Sequence, residues 1–211
     1  MDNLEARQAM VRYAHMLYAH KYAVGSAGNM TMKLEDGTFL ATPTGSSFGF
    51  LNVEDVSHID ASGNLLSGKK PTKEIFFHLA CYEVHPEITA VVHLHATYAT
   101  LLASCEGLAD GVPIKPFTPY FVMKVGAVGI LPYRKPGDPA IADDVREKRA
   151  YTSLLMANHG FIVCGKTLAD AVSAAEEFEE TAKLWYLGQS LPIRYLTEVE
   201  MLHLNPNAKA T

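Results

Sequence analysis

Segments typical of strands alternate along this chain with segments typical of helices, and this alternation restricts the fold more than any other feature of the sequence. LEARQAMVRYAHMLYAHKY near the start and TLADAVSAAEEFEETAKLWYLGQ near the end have apolar residues at helical spacing. ITAVVHLH and the two halves of SLLMANHGFIVCG are typical of short strands, and the dipeptide DG at 36–37 favours a hairpin. We therefore expect an α/β fold with a central sheet covered by helices, and this pattern leaves the relative direction of the strands open.

Three further segments predict helices. PTKEIFFHLACYEVH, residues 71–85, predicts a helix with Thr72 as its N-cap and Glu74 in its first turn. ATYATLLASC and DPAIADDVREKRA are also typical of helices. In the last long helix, the acidic run AAEEFEETAK is interpreted as a solvated face that contains the i, i+4 pair Glu179–Lys183.

The composition excludes several classes of protein. A chain of 211 residues with 48% hydrophobic side chains can form one large domain, 1–211, with a substantial core. The 18 basic and 23 acidic residues include no dense basic block, which argues against nucleic acid or a membrane as the main partner. The 3 cysteines lack CxxC spacing, and no apolar run reaches about 18 residues. We therefore expect a cytoplasmic protein without a disulfide framework.

Two histidines, His93 and His95, end the apolar run TAVVHLH. Because side chains alternate between the faces of a strand, both imidazoles point to the same face and can bind one metal ion. A pair of hydrogen-bonded core histidines explains these two residues alone equally well. Catalytic zinc usually has a third protein ligand, for which His159 in ANHG and Glu74 are candidates. Each has an ordinary explanation too, as a turn residue and as an acid near a helix start, so only their order and spacing together favour a metal site.

Five motifs carry a family resemblance. GSAGNMTMK, ATPTG, PTKE, AVVHLHATYATLLA and ANHG occur in the order seen in the class II aldolase/adducin family, which the chain resembles from about residue 20 to 185. The resemblance implies a single α/β domain whose central sheet is mostly antiparallel or mixed and flanked by helices. The segment PFTPYFVMKVGAVGILPYRKPGDPA resembles a narrower branch, the 3-oxo-tetronate 4-phosphate decarboxylases.

The resemblance also implies a metal site. His93, His95 and His159 match the zinc-binding histidines of the family, and Glu74 matches its catalytic acid, which can also contact the metal when substrate is absent. One Zn²⁺ per chain is the implied cofactor, and other divalent metals could replace it.

A substrate phosphate is implied by the same motifs. The matching phosphate-binding positions are Gly28, Asn29, Thr44, Gly45 and Thr72. The chain has TKE where the fuculose-phosphate aldolases have SSE, so Lys73 replaces a serine beside the phosphate. Lys73 could bind the phosphate, bind a substrate carboxylate or remain solvated.

Family members commonly form homotetramers with sites at subunit interfaces. Tyr120 aligns with a tyrosine that reaches the site of a neighbouring subunit in the aldolase, although a core aromatic residue is an alternative interpretation. His78 lies four residues after Glu74 on the same helical face, where packing is a simpler role than orienting Glu74.

The implied function is a zinc-dependent carbon–carbon lyase. A metal that stabilises an enediolate as a Lewis acid could release carbon dioxide from 3-oxo-tetronate 4-phosphate and leave dihydroxyacetone phosphate. Glu74 would return the proton. The alternatives are a sugar-phosphate aldolase of the fuculose-phosphate type, a ribulose-phosphate 4-epimerase, and a non-catalytic interaction module of the adducin type.

Overall fold

One eight-stranded sheet runs through the computed structural model, which describes residues 3–206. The strands are β1 (Asn29–Lys33), β2 (Phe39–Ala41), β3 (Ser57–Ile59), β4 (Leu65–Ser67), β5 (Ala90–Leu94), β6 (Val128–Leu131), β7 (Ser153–Met156) and β8 (Gly160–Gly165). The helices are α1 (Asn3–Ala19), α2 (Ile75–Val84), α3 (Thr97–Ala103), α4 (Ala140–Glu147), α5 (Leu168–Leu187) and α6 (Glu198–Leu204). Within residues 3–206, no helix is both long and apolar enough to span a bilayer.

The sheet is mixed, as the family resemblance implied. Its strand order is β4-β3-β2-β1-β5-β8-β7-β6, and every neighbouring pair is antiparallel except β6 and β7. The DG dipeptide forms the predicted turn between β1 and β2, where Asp36 accepts a hydrogen bond of 2.9 Å from the Thr38 N–H and Gly37 has a φ of 83°. Positive φ is the region that glycine adopts without steric cost.

Helices cover both faces of the sheet, so its central strands are apolar on both sides. Val92 and Leu94 of β5 pack in the cluster formed with α1, α3 and α5. Val91, which points to the opposite face, packs in the cluster formed with α2 and α4. Because of this alternation His93 lies on the α2 side, and the first turn of α2 stands over the end of β5.

Several elements differ from the sequence predictions. Helix α2 begins at Ile75, so Glu74 is its N-cap rather than a residue of its first turn, and Thr72 is not the N-cap. The Thr72 hydroxyl instead accepts a hydrogen bond of 3.3 Å from the Glu74 N–H, which closes a turn ahead of the helix. The pattern also did not predict strands β3 and β4, helix α6 or the π-helix Phe121–Val125.

The interpretation of Glu179 as a solvated residue was wrong. Its side chain is buried, with 3% of the residue exposed, and its carboxylate accepts hydrogen bonds from the N–H groups of Tyr98 and Ala99 at the start of α3. Lys183 contacts Glu180 at 3.6 Å instead. Glu179 therefore satisfies helix N–H groups that the helix itself leaves unpaired.

Candidate metal centre and active site

Strand β5 carries the first two histidines to the centre of the sheet. His93 lies opposite Asn29 of β1 and Ile162 of β8, so its backbone is paired on both sides. His95 directly follows the end of the strand and is partly exposed. The strand therefore fixes one imidazole in the interior and presents the next toward the surface.

His159 reaches the same place from the turn between β7 and β8. Asn158 adopts a left-handed conformation in this turn, with a φ of 57° that asparagine tolerates better than most residues. A Cβ atom at Gly160 would lie 2.3 Å from the Leu94 carbonyl oxygen, a distance that no side chain could occupy. Glycine thus allows the turn to lie directly against the end of β5.

The three histidines converge on one point. One ring nitrogen from each of His93, His95 and His159 lies within 4.8 Å of the others. The Nε2 atoms of His93 and His95 are 2.8 Å apart. Oε2 of Glu74 lies 3.5 Å from Nε2 of His93, and Oε1 lies 3.7 Å from Nε2 of His159. The carboxylate therefore borders the histidine cluster.

The hydrogen bonds leave ring nitrogens that fit a metal ion. Nδ1 of His93 donates to the carbonyl oxygen of Phe161 at 2.9 Å, so Nε2 presents its lone pair to the cluster. Within residues 3–206, both ring nitrogens of the buried His159 lack a hydrogen-bond partner. Buried polar atoms without a partner are rare and costly, and a divalent cation would supply the missing partner of one of the two nitrogens.

Burial keeps the histidines in the form that binds metals. Burial, followed by the neighbouring His159, lowers the pKa of His93 to about 3. Burial, followed by His93 and His159, lowers the pKa of His95 to about 3. Burial also lowers the pKa of His159, an effect that Glu74 opposes. The imidazoles are therefore uncharged at neutral pH, as metal coordination requires.

Glu74 lies beside the histidines and keeps limited access to solvent. Its side chain is 12% exposed, and its Oε2 accepts a hydrogen bond of 2.8 Å from the Asn29 amide. The Asn29 amide nitrogen has a second hydrogen that this bond does not use. Glu74 is thus oriented by the protein and remains close enough to solvent to exchange a proton.

The loops with the predicted phosphate-binding residues lie side by side. An antiparallel bridge between Pro43 and Pro71 joins TPTG to PTKE, and backbone hydrogen bonds of 3.0 Å extend the pairing on both sides. The Met30 N–H donates to the Thr42 hydroxyl at 3.1 Å, and this hydrogen bond joins the start of β1 to the two paired loops. The structure therefore brings the three predicted segments together next to Glu74.

Two glycines in these loops require a backbone conformation that other residues rarely adopt. Gly28 has a φ of 86°, and a Cβ there would lie 3.0 Å from the His93 carbonyl oxygen. Gly45 has a φ of 68° and has open space around it. Thr72 is buried and Thr44 is partly buried. Glycine at position 28 thus allows the loop to lie against β5, and the loop at Gly45 is open on its outer side.

Lys73 and Tyr120 occupy different positions relative to the cluster. Lys73 is exposed and lies in the loop just before Glu74. Tyr120, 59% exposed, lies on another surface, where it borders a cavity with Lys124 and the acidic side of α5. Arg134 forms two hydrogen bonds of 2.8 Å with the buried Asp144. Its guanidinium is therefore already neutralised.

This fold and this cluster are those of a class of metal-dependent carbon–carbon lyases, and comparison with known proteins gives the family. The class II aldolase and adducin N-terminal domain matches residues 8–186. The chain belongs to the class II aldolase/adducin family. This family depends on divalent metals, and the three clustered histidines are suited to hold one.

The chain is similar to relatives over almost its full length. It is 47% identical to a 3-oxo-tetronate 4-phosphate decarboxylase of Haemophilus influenzae over 211 residues, which cover 99% of this chain and 100% of that protein. It is 35% identical to an L-fuculose phosphate aldolase of Methanococcus maripaludis over 182 residues, which cover 86% of this chain and 96% of that one. The crystal structure of YgbL from Escherichia coli superposes with a TM-score of 0.93 at 46% identity, with 96% of this chain and 98% of that chain covered.

Sequence reasoning missed the groups that support these residues. The Phe161 carbonyl that orients His93 is a backbone atom, which no side-chain motif reveals. Thr31 contacts His78, and Tyr82 contacts Thr31, but both resemble ordinary core residues in the sequence. The shared helical face of Glu74 and His78 was the available signal, and packing was the simpler interpretation of it.

Proposed function

We propose that this chain is a divalent-metal-dependent carboxy-lyase that converts 3-oxo-tetronate 4-phosphate into dihydroxyacetone phosphate and carbon dioxide. The observation that carries the proposal is the 47% identity to a decarboxylase with this activity, aligned over 99% of the chain. Fold alone would not support it, because one fold serves many chemistries. The convergence of His93, His95, His159 and Glu74 supports a site of the required kind.

The three histidines would hold the metal, for which we propose one Zn²⁺ per chain. Neutral imidazole nitrogens suit zinc, and three protein ligands leave an open position for substrate oxygen. A bound ion would supply Lewis-acid stabilisation of the negative charge that develops on the substrate oxygens as the C–C bond breaks.

The joined loops would hold the substrate phosphate. Backbone N–H groups near Gly28 and Gly45, the hydroxyls of Thr44 and Thr72, and the free Asn29 N–H lie in these loops. Holding the phosphate there positions the carboxyl end of the substrate toward the histidines. We propose that the exposed Lys73 contacts an anionic group of the substrate, either its phosphate or its carboxylate.

Glu74 would complete the reaction as a general acid. Loss of carbon dioxide breaks the bond between carbons 1 and 2 and leaves its electron pair on carbon 2, conjugated with the 3-oxo group. Protonated Glu74 donates its proton to carbon 2, and the product is dihydroxyacetone phosphate. The carboxylate then takes a proton from solvent, which its partial exposure permits.

We also propose that the whole chain, 1–211, is one domain of a cytoplasmic homotetramer with sites at subunit interfaces. The exposed position of Tyr120, away from the histidines of its own chain, is consistent with a role in a neighbouring subunit's site.

The test uses substrate labelled at the carboxyl carbon and zinc-loaded protein. We expect labelled carbon dioxide and dihydroxyacetone phosphate in equal amounts, at a rate well above the spontaneous decarboxylation of the 3-oxo acid. A chelator should abolish the catalysed rate, and added Zn²⁺ should restore it. A zinc-loaded wild-type protein that does not exceed the spontaneous rate would exclude the decarboxylase.

A sugar-phosphate aldolase is the second candidate, since an L-fuculose phosphate aldolase is 35% identical over 86% of the chain. The same protein should then be tested for cleavage of ketose 1-phosphates into dihydroxyacetone phosphate and an aldehyde. Epimerisation of a pentulose phosphate would be followed in the same series. A wild-type protein that binds no zinc and has none of these activities would instead favour an interaction module of the adducin type.

A further inference from the structure

A chain of buried side chains leads from Glu74 into the layer between the sheet and α2. The Asn29 amide nitrogen contacts Glu74, and the Asn29 amide oxygen contacts Nε2 of His78 at 2.5 Å. Nδ1 of His78 contacts the Thr31 hydroxyl at 3.0 Å, and that hydroxyl contacts the Tyr82 hydroxyl at 2.9 Å. Asn29, Thr31, His78 and Tyr82 are all buried.

The donor and acceptor capacity of each group fixes the direction of this series of hydrogen bonds. A carboxylate only accepts hydrogen bonds, so the Asn29 amide nitrogen must face Glu74 and its oxygen must face His78. Nε2 of His78 must then carry the hydrogen, which leaves Nδ1 as an acceptor for the Thr31 hydroxyl. The Thr31 oxygen in turn accepts from Tyr82, whose other acceptor, the Thr89 carbonyl, is more distant at 3.5 Å. Every donor therefore points toward Glu74.

His78 is suited to this arrangement because it is neutral. Burial, followed by the neighbouring His93, holds the pKa of His78 well below its usual range. The ring stacks on Phe77 with centroids 4.7 Å apart, so its plane is fixed. With one nitrogen a donor and the other an acceptor, neutral His78 matches the groups on both sides of it.

We infer that His78 is a positioning residue: it fixes the orientation of the Asn29 amide, and the amide in turn holds Oε2 of Glu74 and leaves Oε1 to carry the proton delivered to the substrate. This inference rests on the proposed role of Glu74 as the acid. Reversal of the Asn29 amide would place its oxygen against the carboxylate, and repulsion between the two acceptors would turn Glu74 away. A hydrogen-bonded partner behind a reactive group commonly affects activity by about 10–100-fold.

The first measurement does not require substrate. In zinc-loaded protein with ¹⁵N-labelled histidine and asparagine, we expect the His78 ring to be neutral with hydrogen on Nε2. One Asn29 side-chain amide proton should be shifted by its hydrogen bond to Glu74, and this shift should be lost in His78→Leu. A His78 ring with hydrogen on Nδ1, or an Asn29 amide unaffected by His78→Leu, would overturn the inference.

The second measurement is kinetic and separates positioning from packing. We expect kcat to fall about 10-fold or more in His78→Leu with zinc content unchanged, and KM to rise, because the same Asn29 amide contacts the phosphate in the proposed site. His78→Gln, whose amide can place a donor near the Nε2 position, should recover most of kcat. The control is His85→Leu. His85 is the buried C-cap at the other end of α2, and its Nε2 donates to the Tyr151 carbonyl oxygen at 3.1 Å. We expect its loss to lower stability without lowering kcat.

Further variants keep the result decisive if His78→Leu does not fold. Thr31→Val removes the hydroxyl that donates to Nδ1, and we expect a smaller fall in kcat with a changed His78 tautomer. In an Asn29→Ala background, His78→Gln and Thr31→Val should cause no further loss, because the residue through which they act is gone. Additive losses would contradict a role through Asn29. A wild type that releases no carbon dioxide would overturn the proposed function, and the ring tautomer and the Asn29 amide signal would still decide the inference.

Discussion

At the scale of single residues, the histidine cluster consists of groups whose hydrogen bonds are incomplete in the protein alone. His93 is oriented by a backbone carbonyl, whereas His159 is buried without a partner for either ring nitrogen among residues 3–206. Such an atom lowers stability unless something binds it. The cost of burying His159 in this way is understandable if the protein folds around a metal ion.

His159→Ala tests this reasoning. We expect the variant to fold but to bind zinc much more weakly, because the ion loses one of its three imidazole ligands and nothing takes its place. In the wild type, chelation should lower the melting temperature, since an ion that binds only the native state stabilises it. In His159→Ala the chelator should have little effect. Zinc content by elemental analysis and thermal unfolding give both results, and His203→Ala, on the exposed side of α6, is the control.

Retention of one zinc per chain by folded His159→Ala would place the ion elsewhere and contradict the proposed ligand set.

At the scale of elements, α5 supports the helix that follows His95. The carboxylate of Glu179 accepts hydrogen bonds of 2.8–3.1 Å from Tyr98 and Ala99, so the start of α3 is fixed from a neighbouring helix. We expect Glu179→Ala to reduce the free energy of unfolding by about 1–3 kcal/mol, because buried donors lose their acceptor. Glu176→Ala, on the more exposed side of α5, should change it by no more than about 0.5 kcal/mol. Urea unfolding of the metal-loaded proteins measures both values.

The pH dependence of this effect has a definite sign. Burial raises the pKa of Glu179, so the folded protein holds this proton more tightly than the unfolded chain does. The contribution of Glu179 to stability is therefore greatest in acid, below the ordinary pKa of glutamate, and decreases as the pH rises through the raised pKa. Since Gln does not titrate, the free energy of unfolding of the wild type should decrease relative to that of Glu179→Gln from acid toward neutral pH. A wild-type value that increases relative to Glu179→Gln over this range would contradict the assignment.

Elements with a strong local pattern were predictable, and those that depend on distant partners were not. The periodicity of residues 4–22 and 167–189 predicted α1 and α5, and DG predicted the hairpin, because the signals are local. Strands β3 and β4 have only three residues each, too few to show a pattern. Glu179 was misinterpreted because its partners lie about eighty residues earlier, and charge alone does not reveal burial.

At the scale of the whole molecule, the sheet brings together residues from separate parts of the sequence. His93 and His159 meet because β5 and β8 are neighbours, although 66 positions separate them in the sequence. The motifs predicted the members of the candidate site through family resemblance, whereas their distances and hydrogen bonds depend on the pairing of strands. The role of Tyr120 in a neighbouring subunit's site remains a prediction, since Tyr120 lies on the surface away from these residues in its own chain.

A complementation experiment tests whether Tyr120 acts across a subunit interface. We expect Glu74→Gln and Tyr120→Phe each to lower kcat strongly, while both retain zinc and the mass of the proposed tetramer. If each site combines Glu74 of one chain with Tyr120 of its neighbour, some sites in mixed tetramers of the two variants have both native residues. Co-expression with different affinity tags and purification of the mixed species should therefore restore part of the activity.

The distribution of native residues among sites makes the outcome decisive. If Tyr120 acted in the site of its own chain, every site in a mixed oligomer would still lack one of the two residues, and mixing would restore nothing. Restored carbon dioxide release in the mixed species, but not in either variant alone, therefore requires a site shared between chains. Wild-type kcat in Tyr120→Phe would instead exclude a catalytic role for the hydroxyl, and a monomeric wild type by light scattering would exclude the shared site altogether.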